Sequence, residues 1–286
     1  MAPISARSGL AALHAAVMLF GLAGLFGKLI PATPMIIVAG RTCFASLALG
    51  AFLAVNRRPG SMRAADMGAL AGMGVILALH WWTFFYAIQI STVAVGLLGY
   101  AAFPVFVTFL EPVFFNERLR RVDLATAVAV TAGLILVAWP IALNAGRTRG
   151  VWWGAVSGLL FAVLSLLNRK YVQRHAALTI ACFQNSFACL VLLPALWRTP
   201  WHLTPVAWAM LVFLGVICTA LAHALFIFSL KAVKTQLAGI VAALEPVYGI
   251  LFAFLLLAEV PRAMTLLGGA LIVGATCLAI SYRQSL

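Results

Sequence analysis

The run Pro104-Val105-Phe106-Val107-Thr108-Phe109-Leu110-Glu111-Pro112-Val113-Phe114-Phe115-Asn116-Glu117 has a partner later in the chain, Pro246-Val247-Tyr248-Gly249-Ile250-Leu251-Phe252-Ala253-Phe254-Leu255-Leu256-Leu257-Ala258-Glu259. In both, a Pro-Val pair opens an apolar stretch that ends on a glutamate thirteen residues after the proline. At the same offset of 142 residues, Lys28 falls on Lys170 and Phe84 on Phe226. Coinciding leucines or alanines would carry no weight in so apolar a chain. Coinciding Pro, Glu and Lys, which are scarce here, indicate an internal repeat of almost half the length.

Composition says what kind of repeat this is. Of the 286 residues, 65% are hydrophobic and 9% charged, whereas a soluble domain carries about 25% charged residues to meet water. An integral membrane protein follows, and disordered, collagen-like and disulfide-scaffold classes are excluded. The formal charge of +13 would suit nucleic acid only on a water-soluble basic face, which this chain lacks. Cys43, Cys182, Cys189, Cys218 and Cys277 all lie in apolar stretches with no metal-ligand spacing, so they read as small buried side chains.

A spanning helix needs roughly 20 apolar residues. Cutting at charged, polar and Pro-rich interruptions gives ten spans, approximately 10 to 30, 34 to 55, 67 to 88, 92 to 115, 122 to 141, 151 to 170, 177 to 197, 207 to 230, 235 to 257 and 263 to 282. The runs are continuously apolar where barrel strands would alternate. The first is too long for a signal-peptide core and is taken as an uncleaved span. With the N-terminus inside, thirteen Lys and Arg fall on the inner side and five on the outer, so both termini are predicted cytoplasmic. Each half, 1 to 145 and 146 to 286, holds five spans, an odd number. The expected fold is therefore an all-α membrane protein of two inverted five-helix repeats, an architecture used for alternating access.

Gly27-Lys28 closing the first span, Arg41 early in the second, and the Pro-Val-to-Glu runs in the fourth and ninth together resemble the drug/metabolite transporter superfamily. Within it the chain is similar to the EamA-type ten-helix permeases, which include bacterial exporters of amino acids and other metabolites. That resemblance implies secondary active export of small organic solutes, amino acids first and aromatic or other neutral ones among them, across a bacterial inner membrane. A multidrug or organic-cation exporter is the alternative. The related four-helix exporters couple to protons through a first-span glutamate, and neither the first nor the sixth span here contains an acid.

Ionisable groups inside spans are costly and mark candidate sites. Glu245 lies midway along span nine, directly before Pro246. Arg41 lies roughly 10 Å deep in span two at about 1.5 Å per residue, where it would either meet Glu245 or a shared substrate, or snorkel outward. Glu111 sits near the inner end of span four. In the aromatic run His80 to Tyr86, helical spacing puts His80, Thr83, Phe84 and Ala87 on one stripe, with Tyr86 and Phe85 suited to an interfacial belt. His223, Tyr100, Tyr248, Gln184 and Asn185 add neutral hydrogen-bonding groups inside spans. The substrate-binding set is thus Arg41, His80, Phe84, Tyr100, Asn185, His223 and Glu245.

Lys28 with Glu259 at the outer face, and Lys170 with Glu117 at the inner, form symmetry-related pairs suited to alternating latches, with Pro104 and Pro246 as hinges. Gly68 with Gly72 and Gly154 with Gly158 read as close helix contacts. No phosphate-binding loop, H-E-x-x-H or G-x-S-x-G motif is present, which disfavours ATP drive and intramembrane catalysis. A channel or scaffold is the remaining class. The expected partners are the bilayer, a small-molecule substrate and a coupling proton. No nucleic acid, metal or cofactor is expected, and the chain is expected to be a monomer.

Overall fold

Apolar residues in hydrocarbon leave the backbone only its own groups for hydrogen bonding, so nearly every described residue is helical. A computed structural model describes residues 5–56, 64–91, 93–116, 120–142, 145–197, 201–257 and 263–284. Five spans are single helices in the first half and start of the second: α1 (Ala6–Leu29), α2 (Pro34–Val55), α3 (Ala64–Ile90), α6 (Arg121–Ala142) and α7 (Ala145–Val172). Two more are α8 (Ala177–Leu196) and α13 (Ala263–Gln284). The remaining three spans are interrupted. Span four is α4 (Val93–Tyr100) then α5 (Phe103–Phe115), and span nine is α11 (Thr235–Ala242) then α12 (Glu245–Leu257). Span eight runs from α9 (Pro205–Gly215) through a π-helical segment (Val216–Leu221) into α10 (Ala222–Ser229). Among the described residues, seven of the spans are long and apolar enough to cross a membrane, and the other three contain shorter apolar helices.

The interruptions differ from the continuous helices read from the sequence, and proline is one cause. Pro104 and Pro246 each occupy the second position of their helix and lack the N–H that would bond four residues back. The chain therefore turns at Ala101–Ala102 and Ala243–Leu244, held by short bonds such as Ala102 N–H to Gly99 O and Leu244 N–H to Val241 O. At the far end of α5, Asn116 takes a left-handed conformation (φ 52°), which asparagine tolerates better than most residues.

The repeat offset reappears in the element bounds. α4 and α11, α5 and α12, and α6 and α13 each begin and end 142 residues apart. Packing between the halves follows a pseudo-twofold: α2 lies on α8 and α6 on α13, while α3 against α7 has its counterpart in α1 against α10.

Close crossings need glycine at particular places. A Cβ on Gly154 would lie 2.7 Å from the Gly96 carbonyl oxygen, and one on Gly99 would lie 2.3 Å from that of Val151, so α4 and α7 touch backbone to backbone. Gly158 likewise faces the Tyr100 carbonyl. Gly68 and Gly72 do not: both look onto open space, which corrects their reading as a helix contact. Gly154→Val is therefore expected to lower stability by about 1–3 kcal/mol through overpacking. Gly68→Ala should be near neutral, and thermal unfolding of the purified variants separates the two.

Candidate substrate-binding site

The α2–α9 crossing brings the first charge into place. Gly40 of α2 receives Leu211, and Gly215 of α9 lies against Phe44 and the Arg41 backbone, so neither position has room for a Cβ. This presses Arg41 against the π-helical segment, where the wider turn departs from regular α hydrogen bonding. Arg41 Nε donates to Thr219 Oγ1 at 2.8 Å and Nη2 to the Cys218 carbonyl at 3.4 Å. Thr219 in turn donates to the Leu214 carbonyl. The guanidinium also sits over the Trp81 ring, 4.0 Å from its centroid, a desolvated geometry in which a cation–π contact is worth up to about 2 kcal/mol. Arg41 is 2% exposed, so it points inward and does not snorkel.

Glu245, 3% exposed, is the first residue of α12, where the helix dipole favours a negative charge. The Tyr100 hydroxyl donates to its carboxylate, and Oε2 is buried without a hydrogen-bond partner. No ion pair joins Glu245 to Arg41 among the described residues, although their charges act on each other. Both line one cavity of about 20 Å³, room for a single water.

Aromatic rings make up the rest of the wall. Phe161 of α7 is stacked on His80 (centroids 4.8 Å apart) and touches Phe20, Tyr100, Phe103 and Phe226. Phe84 packs edge-on against Tyr100, and Trp81 against His223. Hydrogen bonds from outside the cavity orient both histidines. His80 Nδ1 meets the Ser157 carbonyl at 3.0 Å and the Ser157 hydroxyl oxygen at 2.8 Å; with that hydroxyl donating to the His80 carbonyl at 3.0 Å, the consistent assignment puts the ring hydrogen on Nδ1 and leaves Nε2 as the acceptor. His223 Nε2 meets Gln184 Oε1 at 2.9 Å, and Gln184 Nε2 donates to Asn168 Oδ1.

Of the residues expected from sequence, the fold brings Arg41, His80, Phe84, Tyr100, His223 and Glu245 to this cavity. Asn185 does not line it, for its amide turns back to the Ala181 carbonyl of its own helix. Its neighbour Gln184 makes the contact to His223. Thr83 also bonds within its own helix, to Leu79 and His80 carbonyls. Phe85 is fully buried against Gly27, outside any interfacial belt, whereas Tyr86 stacks on Trp82 beside Trp153. Phe20, Ala23, Trp81 and Phe161 line the cavity without having been singled out. One signal was available for Trp81: it stands at the repeat position of His223.

The proposed latches are placed only in part. Glu117 and Glu259 lie outside the described residues. Lys28 donates to the Ser91 carbonyl at 3.2 Å, and Lys170 is exposed in a basic recess with Arg169 and Arg174. Pro104 and Pro246 stand at the starts of α5 and α12.

The model of the EamA-like transporter family matches twice, at residues 7–139 and 148–281. An uncharacterized transporter of Archaeoglobus fulgidus is 30% identical over 73% of this chain and 75% of its own length. A pseudopaline exporter of Pseudomonas aeruginosa is 29% identical over 74% of each chain. A probable terminal-alkyne amino-acid exporter of Streptantibioticus cattleyicolor is 28% identical over 59% of this chain and 57% of its own. A crystal structure matches with a TM-score of 0.81 over 98% of this chain and 99% of that one, at 20% identity, which speaks to the fold. The cavity geometry carries its own test: Thr219→Val leaves the Arg41 Nε–H without its acceptor and should cost about 1–3 kcal/mol. Thr83→Val should cost far less, as read by thermal unfolding.

Proposed function

This chain belongs to the EamA-like transporter family, and we propose that it is a secondary active transporter exporting small zwitterionic solutes of amino-acid type. The observation that carries this reading is the pair of buried opposite charges, Arg41 and Glu245, facing one aromatic cavity without bonding each other. An α-carboxylate suits the guanidinium, whose planar fork of donors is only partly used by Thr219 and Cys218. An α-ammonium suits Glu245 Oε2, with the acceptor nitrogen of His80 to share it. The rings of Phe84, Tyr100 and Phe161 suit a planar or apolar side chain.

The cavity must widen to take such a solute. In an inverted repeat this happens alternately, by parting the inner or the outer halves of spans four and nine. On this reading the protein sits in the bacterial inner membrane as a monomer with both termini cytoplasmic, and a proton gradient drives export. The basic recess of Arg169, Lys170, Arg174, Lys231 and Lys234 at one end supports that orientation.

A second reading is an organic-cation exporter, favoured by the unpartnered Glu245 oxygen within a ring of aromatics. Reconstituted vesicles decide between them. Saturable counterflow of labelled aromatic and neutral amino acids is expected, with acceleration by an imposed pH gradient. Arg41→Ala and Glu245→Gln should each lower it by about tenfold or more, the loss of one charged hydrogen bond. Transport of cationic dyes that survives Arg41→Ala would favour the second reading, and wild-type rates in both variants would end the first.

A further inference from the structure

Glu111 has no part in the cavity, yet it is 0% exposed. Its carboxylate accepts from three donors: the Thr235 N–H to Oε1 at 2.8 Å, the Gln236 N–H to Oε2 at 2.8 Å, and Arg169 Nη1 to Oε1. Thr235 and Gln236 are the first two residues of α11, and Lys234 before them supplies no side-chain cap. The opening N–H groups of a helix have no partner within it, and a negative charge there also meets the positive end of the dipole. Glu111 thus serves as the missing cap. It does so from α5, in the other half of the molecule, while Arg169 of α7 holds it in place.

The repeat supplies an internal control. Shifted by 142 residues, Glu111 corresponds to Ala253, Arg169 to Gly27, and Thr235-Gln236 to Val93-Ala94. The outer crossing of α4 with α12 therefore has the equivalent helix start but neither the carboxylate nor the guanidinium. Packing follows the same asymmetry. Among the described residues α11 packs more extensively on α5 than α4 does on α12, and Gly239 of α11 lies directly against the Pro104 backbone.

We propose that Glu111 is the positioning residue of an inner gate: its carboxylate clasps α11 to α5 and α7, and the cavity opens to the cytoplasm only when that clasp lets α11 go. Because no such clasp is found on the outer side among the described residues, it sets the resting preference of the carrier. The inference rests on alternating access by the two repeats but not on the identity of the solute.

Hydrogen exchange followed by mass spectrometry, on the full chain in lipid nanodiscs without solute, reads both gates at once. In Glu111→Gln, peptides covering 235–242 should exchange roughly tenfold faster, the scale of one charged hydrogen bond. Peptides covering 93–100 should exchange more slowly, because a population moved toward inner opening closes the outer side. Any other pattern overturns the proposal: no change, faster exchange at both gates as in general destabilisation, or faster exchange at α11 alone as in loss of a mere cap. Should Glu111→Gln not fold, Arg169→Gln carries the test with the same opposite signs and a smaller shift. Counterflow of amino acids plays no part in this readout, so a wrong solute assignment and a wrong gate assignment fail separately.

Discussion

In hydrocarbon a backbone N–H or C=O without a partner costs several kcal/mol, so a spanning chain can abandon regular helix only where protein encloses the exposed groups. This chain does so at three described places, and all three converge on the cavity. The Tyr100 carbonyl, deprived of its helical donor by Pro104, is covered at Gly158. The start of α12 is packed at Gly21, where a Cβ would lie 2.8 Å from the Glu245 carbonyl oxygen and the Tyr248 Cβ. The π-helical segment is covered at Gly215 by α2. Each irregularity presents a polar group inward: Tyr100, Glu245, and Thr219 with Cys218. Glycine therefore acts twice over, admitting the neighbour that seals a break and fixing where the polar group behind it points.

The repeat and the site stand in opposition. Symmetry supplies the frame, down to helix bounds that recur at a fixed offset. The cavity's chemistry comes from positions where symmetry fails. Arg41 corresponds to Phe183, Glu245 to Phe103, His80 to Ala222 and Tyr100 to Ala242. A symmetric cavity would have placed like charges across the axis, whereas the diverged halves place opposite ones. On the proposed gating, the same divergence separates the two sides, since Glu111 has alanine as its counterpart.

This division explains what sequence alone could deliver. Ten spans were legible because apolar runs are long against scarce charges, and the repeat because Pro, Glu and Lys are rare enough to align. Arg41 and Glu245 stood out because an ionisable residue in a span is costly. The aromatic wall was hidden, since nineteen phenylalanines on helices apolar all round leave no periodicity to say which ones face inward. Gln184 and Asn185 are adjacent and chemically alike, and only the rotation of α8 separates the one that holds His223. Glu111 was noted by depth alone, because two of its three partners are backbone N–H groups more than a hundred residues away, which no side-chain pattern records. The π-helical segment, too, has no proline or charge to announce it.

The way Arg41 is stabilised bears on selectivity. A direct Arg41–Glu245 pair would satisfy both charges in the empty carrier, and a solute would have to break it at a cost of about 3–5 kcal/mol before gaining anything. Here the guanidinium is held by a hydroxyl, a carbonyl and an indole face, and the carboxylate by a phenol. On the proposed reading a zwitterion therefore adds charged hydrogen bonds at both ends without dismantling one. A solute with only one charge leaves the other buried group unanswered, a penalty of about 1–3 kcal/mol or more. On that reading, discrimination comes from what the wrong solute fails to satisfy, which would let the aromatic wall stay permissive about the side chain while the two charges stay strict about the backbone of the molecule carried.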